Sequence, residues 1–503
     1  MDNREKSIHD SVFRVGVVSS VDGREVKVKM DRNKNSSHLL YKGHLIKNVS
    51  VGSYVKILKG FMPIIGKVES EYIYENNIVN NNSVHSAEAV INRVLVVKLI
   101  GFIDGLSFKR GVNELPLIDN ECHLLSDKEF TMIHTLGSLH DEFIQIGHLA
   151  NDPLVPVSLG VGKLFSNHIG IFGNTGSGKS YTLSKLYRQL FVHYDSNKTF
   201  KNNSKFLFFD FNGEYSGKEV ITSDKKVYKL STHDDRGDKI PMADNDFLDV
   251  NLLSIFSNAT EKTQRPFLSR CISLYRTIAD NEEKFKNFLK GQIVDILQIS
   301  EKDITRVFNS SNNISDFWGN SNFVVIDLSG VNTDTKKRIP LLLTNKLYNE
   351  HKAAGKAKSY LNIVVDEAHN ILSHQSTRES EEWKDYRLEV FEEIIKEGRK
   401  FGVFLTIASQ RPSDISSTII SQLHNYFIHR LVNERDIEQV NNTISYLDKV
   451  SVESLPILST GVCVIAGQLA EMPLVVQVNK IEEKHRPNNE TINVEKWFIR
   501  HFE

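Results

Sequence analysis

The chain has 503 residues, too many for one ordinary domain of roughly 100–200 residues, so several units are expected. Hydrophobic residues make up 40% and charged residues 25%, a mix that excludes a largely disordered chain. Lys+Arg (62) nearly balance Asp+Glu (63), for a net charge of −1, so any nucleic-acid contact must be a local patch rather than an overall basic bias.

The N-terminus, "MDNREKSIHD", is polar and lacks the apolar core of a signal peptide. Apolar stretches such as "VLVVKLIGF" fall far short of the roughly 20 residues that cross a bilayer. Cys122, Cys271 and Cys463 lie far apart with no CxxC pair, which argues against a zinc site or a disulfide framework. A cytoplasmic protein with no membrane partner is expected. Residues 1–150 read as β-rich: "VFRVGVVSSVDGREVKVKM" alternates around an Asp-Gly turn, "GSYVKILKGFMPIIGKVESEYI" repeats the pattern, and "VINRVLVVKLIGFID" reads as a strand pair or one long strand. Many short strands with glycine turns predict a small barrel, with the Asn-rich "ENNIVNNNS" as a surface loop. From about residue 165, "HIGIFG", "KFLFFDFNGEY", "FVVIDLSG", "LNIVVDEAHN", "VFLTIASQRPS" and "NYFIHRL" read as buried parallel strands alternating with helices. The predicted fold is therefore α/β, a P-loop core split into 151–235 and 321–478. Between them, 236–320 shows apolar spacing near i, i+3, i+4 and reads as a helical-bundle insertion. Residues 479–503 are charged, carry Trp497 and Phe498 near their end, and read as a tail packing on a neighbouring surface.

The chemistry starts with "GNTGSGKS". Gly173, Asn174, Thr175, Gly176, Ser177, Gly178, Lys179 and Ser180 fit the P-loop pattern, followed by Tyr181. Glycines let backbone N–H groups turn inward around phosphates, and the helix starting near Gly178–Lys179 points its positive end at them. Lys179 would reach the β- and γ-phosphates of ATP, and Ser180 would ligate Mg²⁺. In "LNIVVDEAHN" an apolar strand ends in Asp366 and Glu367. Asp366 would hold the Mg²⁺, and Glu367 would polarise the attacking water as general base. In "VFLTIASQRPSDI" another strand ends near Gln410, placed to orient that water. A ring ATPase completes its site with an arginine from the next subunit. Arg399, ending the helix of "FEEIIKEGRKFGV", and Arg430, ending the strand of "NYFIHR", are the candidates, both read as lying near the same sheet edge. Cations are also favoured at helix C-termini on dipole grounds alone.

These pieces in this order, with "FFDFNGEY", "VIDLSG" and a C-terminal "GVCVIAG" followed by "PLVVQV", resemble the HerA family of the HerA/FtsK translocases over about residues 10–480. "EGRKFGV" with "ASQRPSDI" is the most specific part. The resemblance implies a RecA-like core, an N-terminal HAS-like barrel and a homohexamer around double-stranded DNA. It also implies a separate effector, a nuclease such as NurA or an NADase-type protein, in DNA-end processing or anti-phage defence. "DEAH" at 366–369 invites comparison with superfamily 2 helicases, but their arginine-rich and "SAT" blocks are missing. Lys218, Lys384 and Arg387 are candidate pore contacts. The other function class that the motifs permit is an ATP-switched scaffold that assembles and activates a bound effector.

Overall fold

The computed structural model describes residues 12–489, apart from 33, 35, 42, 77–89, 106, 135, 138–140, 243–265, 271–272, 274–305, 311–314, 357, 375–380 and 471. The chain divides into two compact units. One is Met1–Leu136 with Asp448–Glu453 and Ala470–Met472; the other is Gly137–Leu447 with Ser454–Leu469 and Pro473–Glu503.

The first unit is built from β1 (Arg14–Asp22), β2 (Glu25–Met30), β3 (His38–Tyr41), β4 (His44–Lys47), β5 (Tyr54–Lys59), β6 (Met62–Asn76), β7 (Val90–Asp104), β8 (Ser107–Arg110) and β9 (Glu121–Leu124). Six strands run in the order β2-β1-β9-β5-β6-β7, and the β2–β7 pairing closes the ring into a barrel, with β8 added to β7. Closure leaves no free edge on those six strands. Alternation supplies the core: Val15, Val26, Val28, Val55, Ile57, Leu95 and Val97 point inward. Gly23 takes φ +58 in the turn joining β1 to β2, a left-handed conformation that suits glycine. "VINRVLVVKLIGFID" is the single strand β7, long enough to pair with both β6 and β2.

The second unit carries β10 (Phe143–Leu149), β11 (Asp152–Gly160), β12 (Ile169–Phe172), β13 (Ser204–Asp210), β14 (Lys226–Ser231), β15 (Ile240–Met242), β16 (Phe308–Ser310), β17 (Phe323–Gly330), β18 (Tyr360–Val365), β19 (Val403–Ser409), β20 (Asn425–Ile428), β21 (Val462–Gly467) and β22 (Leu474–Val478). Eleven of these form one sheet in the order β11-β10-β22-β21-β20-β12-β19-β18-β13-β17-β14. The stretch from β20 to β14 is parallel, and β21, β22, β10 and β11 extend it antiparallel. Strands β12, β19, β20 and β21 are buried at every residue, which is why they read as mainly apolar runs. The main helices are α1 (Lys179–His193), α2 (Thr333–Ala353) and α3 (Glu381–Glu397). This is a RecA-like P-loop core: the strand before the P-loop, β12, is separated from the acidic strand β18 by β19.

Residues 143–149 fall within the 1–150 range that the sequence assigns to the barrel; they form β10, which hydrogen-bonds instead to β22 and β11 of the large sheet. The helical insertion at 236–320 lies mostly outside the described residues. At its two ends, where the sequence suggested no strands, β15 and β16 pair in parallel. Of the tail at 479–503, residues 490–503 are outside the described residues, including Trp497 and Phe498. The part up to 489 lies on its own unit: Asn479 N donates to Ile146 O, and Asn488 N to Glu214 O.

Candidate functional site: a nucleotide cradle at the strand ends

The cradle forms where β12 ends. Gly176 and Gly178 adopt φ +73 and +108, which bends residues 173–178 back on themselves. Gly173 has no room for a side chain, since a Cβ there would come within 2.5 Å of the His429 Cβ and 2.6 Å of the Ser177 Oγ. Neighbouring backbone fixes the loop: Gly173 N donates to Ser409 O (3.2 Å), Asn174 N to Arg430 O (2.9 Å) and Gly461 N to Ser177 O (2.9 Å). Val432 N donates to Asn174 Oδ1 at 2.9 Å. Gly178 is the N-cap of α1, and no side chain caps that helix. Its first N–H groups are therefore available to an anion.

The side chains match the cradle. Lys179, 5% exposed, donates to Glu367 Oε1 at 2.9 Å and to Asp366 Oδ1 at 3.3 Å. Burial works against its charge, but the two carboxylates outweigh burial and raise the pKa above that of an ordinary lysine. Glu367 sits at φ +47, uncommon for a non-glycine residue, with its N–H donating to Asp366 Oδ1 at 3.0 Å. Asp366 Oδ2 is buried with no hydrogen-bond partner. His369 Nδ1 lies 3.3 Å from Glu367 Oε2; burial, the largest influence, lowers the His369 pKa. Gln410, just past β19, accepts a hydrogen bond from the Thr175 hydroxyl of the P-loop. The Tyr181 hydroxyl accepts from Ile481 N, so it faces the chain's own C-terminal segment.

A uniquely shaped glycine loop, an uncapped helix start, a buried lysine and an unpartnered buried carboxylate oxygen fit a triphosphate with its cation. Among the described residues no group of three or more His, Cys, Asp or Glu is arranged to hold a metal alone. Mg²⁺ held by Ser180 and Asp366 would need phosphate and water oxygens to complete its shell.

The structure adds residues that the motifs did not mark. Asp210 ends β13, in register with Asp327 on β17 and beside β18. It accepts N–H bonds from Gly213 (2.8 Å), Glu214 (3.0 Å) and Tyr215 (2.7 Å). Burial, then the charges of Asp327 and Asp366, push its pKa up to about 7. Burial, followed by Asp366, also raises Glu214. A signal was available in "FFDFNGEY", an apolar strand ending in an acid as "LNIVVDE" does. His429, fully buried beneath Gly173, is held near pKa 4 by burial and had no sequence signal.

The arginines separate. Arg430 follows β20, and its carbonyl touches the P-loop, so it lies at the nucleotide edge. Arg399 precedes β19, in the 3-10 turn Gly398–Phe401, and so lies at the opposite edge. The two do not share a sheet edge, because one comes before its parallel strand and the other after. Arg399 is exposed and donates to Asn167 Oδ1 at 3.4 Å. From Asn167 to Gly173 the chain runs roughly 20 Å at about 3.3 Å per residue, so Arg399 cannot reach the cradle of its own subunit. Of the candidate pore contacts, Lys218 is exposed and Lys384 half-buried. Arg387 is fully buried and donates to Ser373 O at 3.1 Å, so it cannot meet DNA in a pore. Its place on the inner face of α3 overrides the usual preference of arginine for the surface.

Residues 144–347 match the family model described as "Helicase HerA, central domain". Over 430 residues the chain is 28% identical to the DNA double-strand break repair helicase HerA of Sulfurisphaera tokodaii, covering 80% of each chain. It is 26% identical over 494 residues to a probable helicase of Methanocaldococcus jannaschii, covering 89% of each. Among solved structures, VirB4 of Thermoanaerobacter pseudethanolicus overlays 68% of this chain and 98% of its own at 13% identity, with a TM-score of 0.46.

Proposed function

The chain belongs to the HerA family, and from that premise we propose that it is an ATP-driven motor that moves double-stranded DNA. The observation that carries this reading is the Lys179–Asp366–Glu367 contact, which joins the P-loop to an acidic strand end across the intervening β19. Residues 173–180 bind the triphosphate, with Tyr181 beside them. Lys179 leaves the two carboxylates for the β- and γ-phosphate oxygens; Ser180 and Asp366 would hold Mg²⁺, which would supply charge neutralisation on the phosphates. Losing the Lys179 contact frees Glu367 to accept a proton from the attacking water. Gln410, tied to Thr175, orients that water.

The subunits act as a homohexamer around the duplex. Two features support this: relatives over most of the chain are named as break-repair helicases, and Arg399 lies at the sheet edge away from its own cradle, as a residue serving another subunit would. Arg430, at the chain's own cradle, is the alternative source of the cation on the γ-phosphate. A separate nuclease or NADase-type effector works with the ring, in DNA-end processing or anti-phage defence. DNA contacts are mostly to phosphate, and so tolerate any sequence and weaken with salt.

The test is ATP turnover by the chain alone, with and without duplex DNA. Duplex should stimulate hydrolysis, and Lys179→Ala should abolish it with the fold intact. Hydrolysis indifferent to duplex, whatever effector is added, would remove the motor reading. Normal turnover by Lys179→Ala would remove the site assignment itself.

A further inference from the structure

Asn167 and His168 immediately precede β12, the strand that ends in the P-loop. Both are buried, although they lie at the far edge of the sheet from the nucleotide. His168 joins three strands. Its carbonyl accepts His424 N (3.0 Å) and Asn425 N (3.2 Å) at the start of β20, and its Nδ1 accepts Leu405 N (2.9 Å) in β19. An imidazole accepting through Nδ1 must be neutral, and burial, followed by the charges of His424 and Arg399, lowers its pKa to about 3. Asn167 is fixed from the other side, because its Nδ2 donates to Lys163 O at 2.7 Å. That orients the amide so that Oδ1 faces outward to receive Arg399 Nη1.

Arg399 itself is mounted on a rigid base. The Gly398–Phe401 turn closes on Gly402, at φ +76, whose carbonyl accepts Leu361 N at 2.8 Å. The side chain leaves that base exposed and makes the long hydrogen bond to Asn167. A single 3.4 Å hydrogen bond biases the direction of a guanidinium without holding it firmly. An arginine that must transfer to a neighbour's phosphate needs such a hold, since each alternative conformer frozen out beforehand lowers the entropy cost of reaching the phosphate.

We propose that Asn167 is a positioning residue: it aims Arg399 out of its own subunit toward the γ-phosphate bound by the next. This rests on the reading of Arg399 as the cation supplied in trans. One consequence is that β12 has a role at each end. Its C-terminal end cradles the subunit's own nucleotide, and its N-terminal end directs the arginine offered to the neighbour's.

The test uses full-length rings and five variants, four single and one double. Asn167→Ala should lower kcat about tenfold while leaving the KM for ATP within about twofold, because its own cradle is untouched. Asn167→Asp keeps an acceptor for Arg399 but loses the donor to Lys163 O, so it should stay within about threefold of the parent. A purely structural role would be lost in both variants alike. Asn167→Ala added to Arg399→Ala should cost nothing further. Mixed rings of Asn167→Ala with Lys179→Ala should regain activity, since the first supplies intact cradles and the second a correctly held Arg399. Parent-rate hydrolysis by Asn167→Ala, a raised KM at unchanged kcat, or no recovery in demonstrably mixed rings would overturn the positioning role. Parent-rate hydrolysis by Arg399→Ala would instead overturn the trans reading on which it depends.

Discussion

At the scale of single residues, the site is a small set of buried charges that stabilise one another without nucleotide. Lys179 is 5% exposed and Glu367 6%, and each would be costly to bury alone. Their contact at 2.9 Å explains how an ATPase loop keeps its lysine inward, and why removing the carboxylate changes more than the base. Glu367→Gln retains the shape and the acceptor oxygen for Lys179 but cannot take a proton. This variant should bind ATP with affinity close to the parent's and hydrolyse it at least about a hundredfold more slowly, within the usual range for losing a general base. Equilibrium nucleotide binding and single-turnover hydrolysis check both halves. Parent-rate turnover would assign the base elsewhere. That Lys179, Asp366 and Glu367 belong to one site could be read from sequence, because a P-loop and an acidic strand end need each other; that the lysine bonds the two acids directly could not. Nor could the burial of Arg387: a charge in a polar stretch defaults to the surface, and only packing of α3 shows otherwise.

At the scale of elements, the parallel strands were legible because burial on both faces writes them as short runs dominated by Val, Ile, Leu and Phe. Strand order was not legible, since periodicity says nothing about neighbours. The strand at 143–149 illustrates this. Its alternating pattern suits a barrel as well as a sheet edge, and pairing with β22 decides for the large sheet. The edge on which Arg399 lies was obtainable in principle, because in a parallel strand a residue before the run and one after it must emerge at opposite ends. Strand order also creates the row of acids Asp327, Asp210 and Asp366 on adjacent β17, β13 and β18. With Asp210 raised to about 7 by burial and these neighbours, the folded chain holds a proton that the unfolded chain releases in the ordinary carboxylate range. Its stabilising contribution is therefore full on the acid side of that range and is lost as pH rises through about 7. The unfolding free energy of the parent should fall between about pH 5 and 7 with a slope of up to about 1.4 kcal/mol per pH unit from this one group, seen as a falling thermal midpoint. Asp210→Asn, whatever its absolute stability, should show a flatter dependence over the same window. Parallel curves would mean that Asp210 does not carry the proton.

At the scale of the whole molecule, each subunit offers a cradle at one edge of its sheet and an arginine at the other. A net charge of −1 leaves no general attraction to DNA, so in the proposed motor duplex contact would be confined to local cations, for which the exposed Lys218 is a candidate. Neither edge alone makes a complete ATPase site in this reading. Stacking copies around a ring would bring the arginine edge of one to the cradle edge of the next, and hydrolysis would become a property of the interface. Trans arginines contribute about 10³–10⁵ in rate in the GTPases where they are measured, so losing one is easily seen. The most direct measurement is ATP turnover by mixtures of Arg399→Ala and Lys179→Ala subunits, with mixed rings verified independently. Each variant alone should be nearly inactive, and the mixture should recover part of the parent rate as intact cradles meet intact arginines. No recovery in verified mixed rings, or full activity of Arg399→Ala alone, would contradict a shared site built around Arg399.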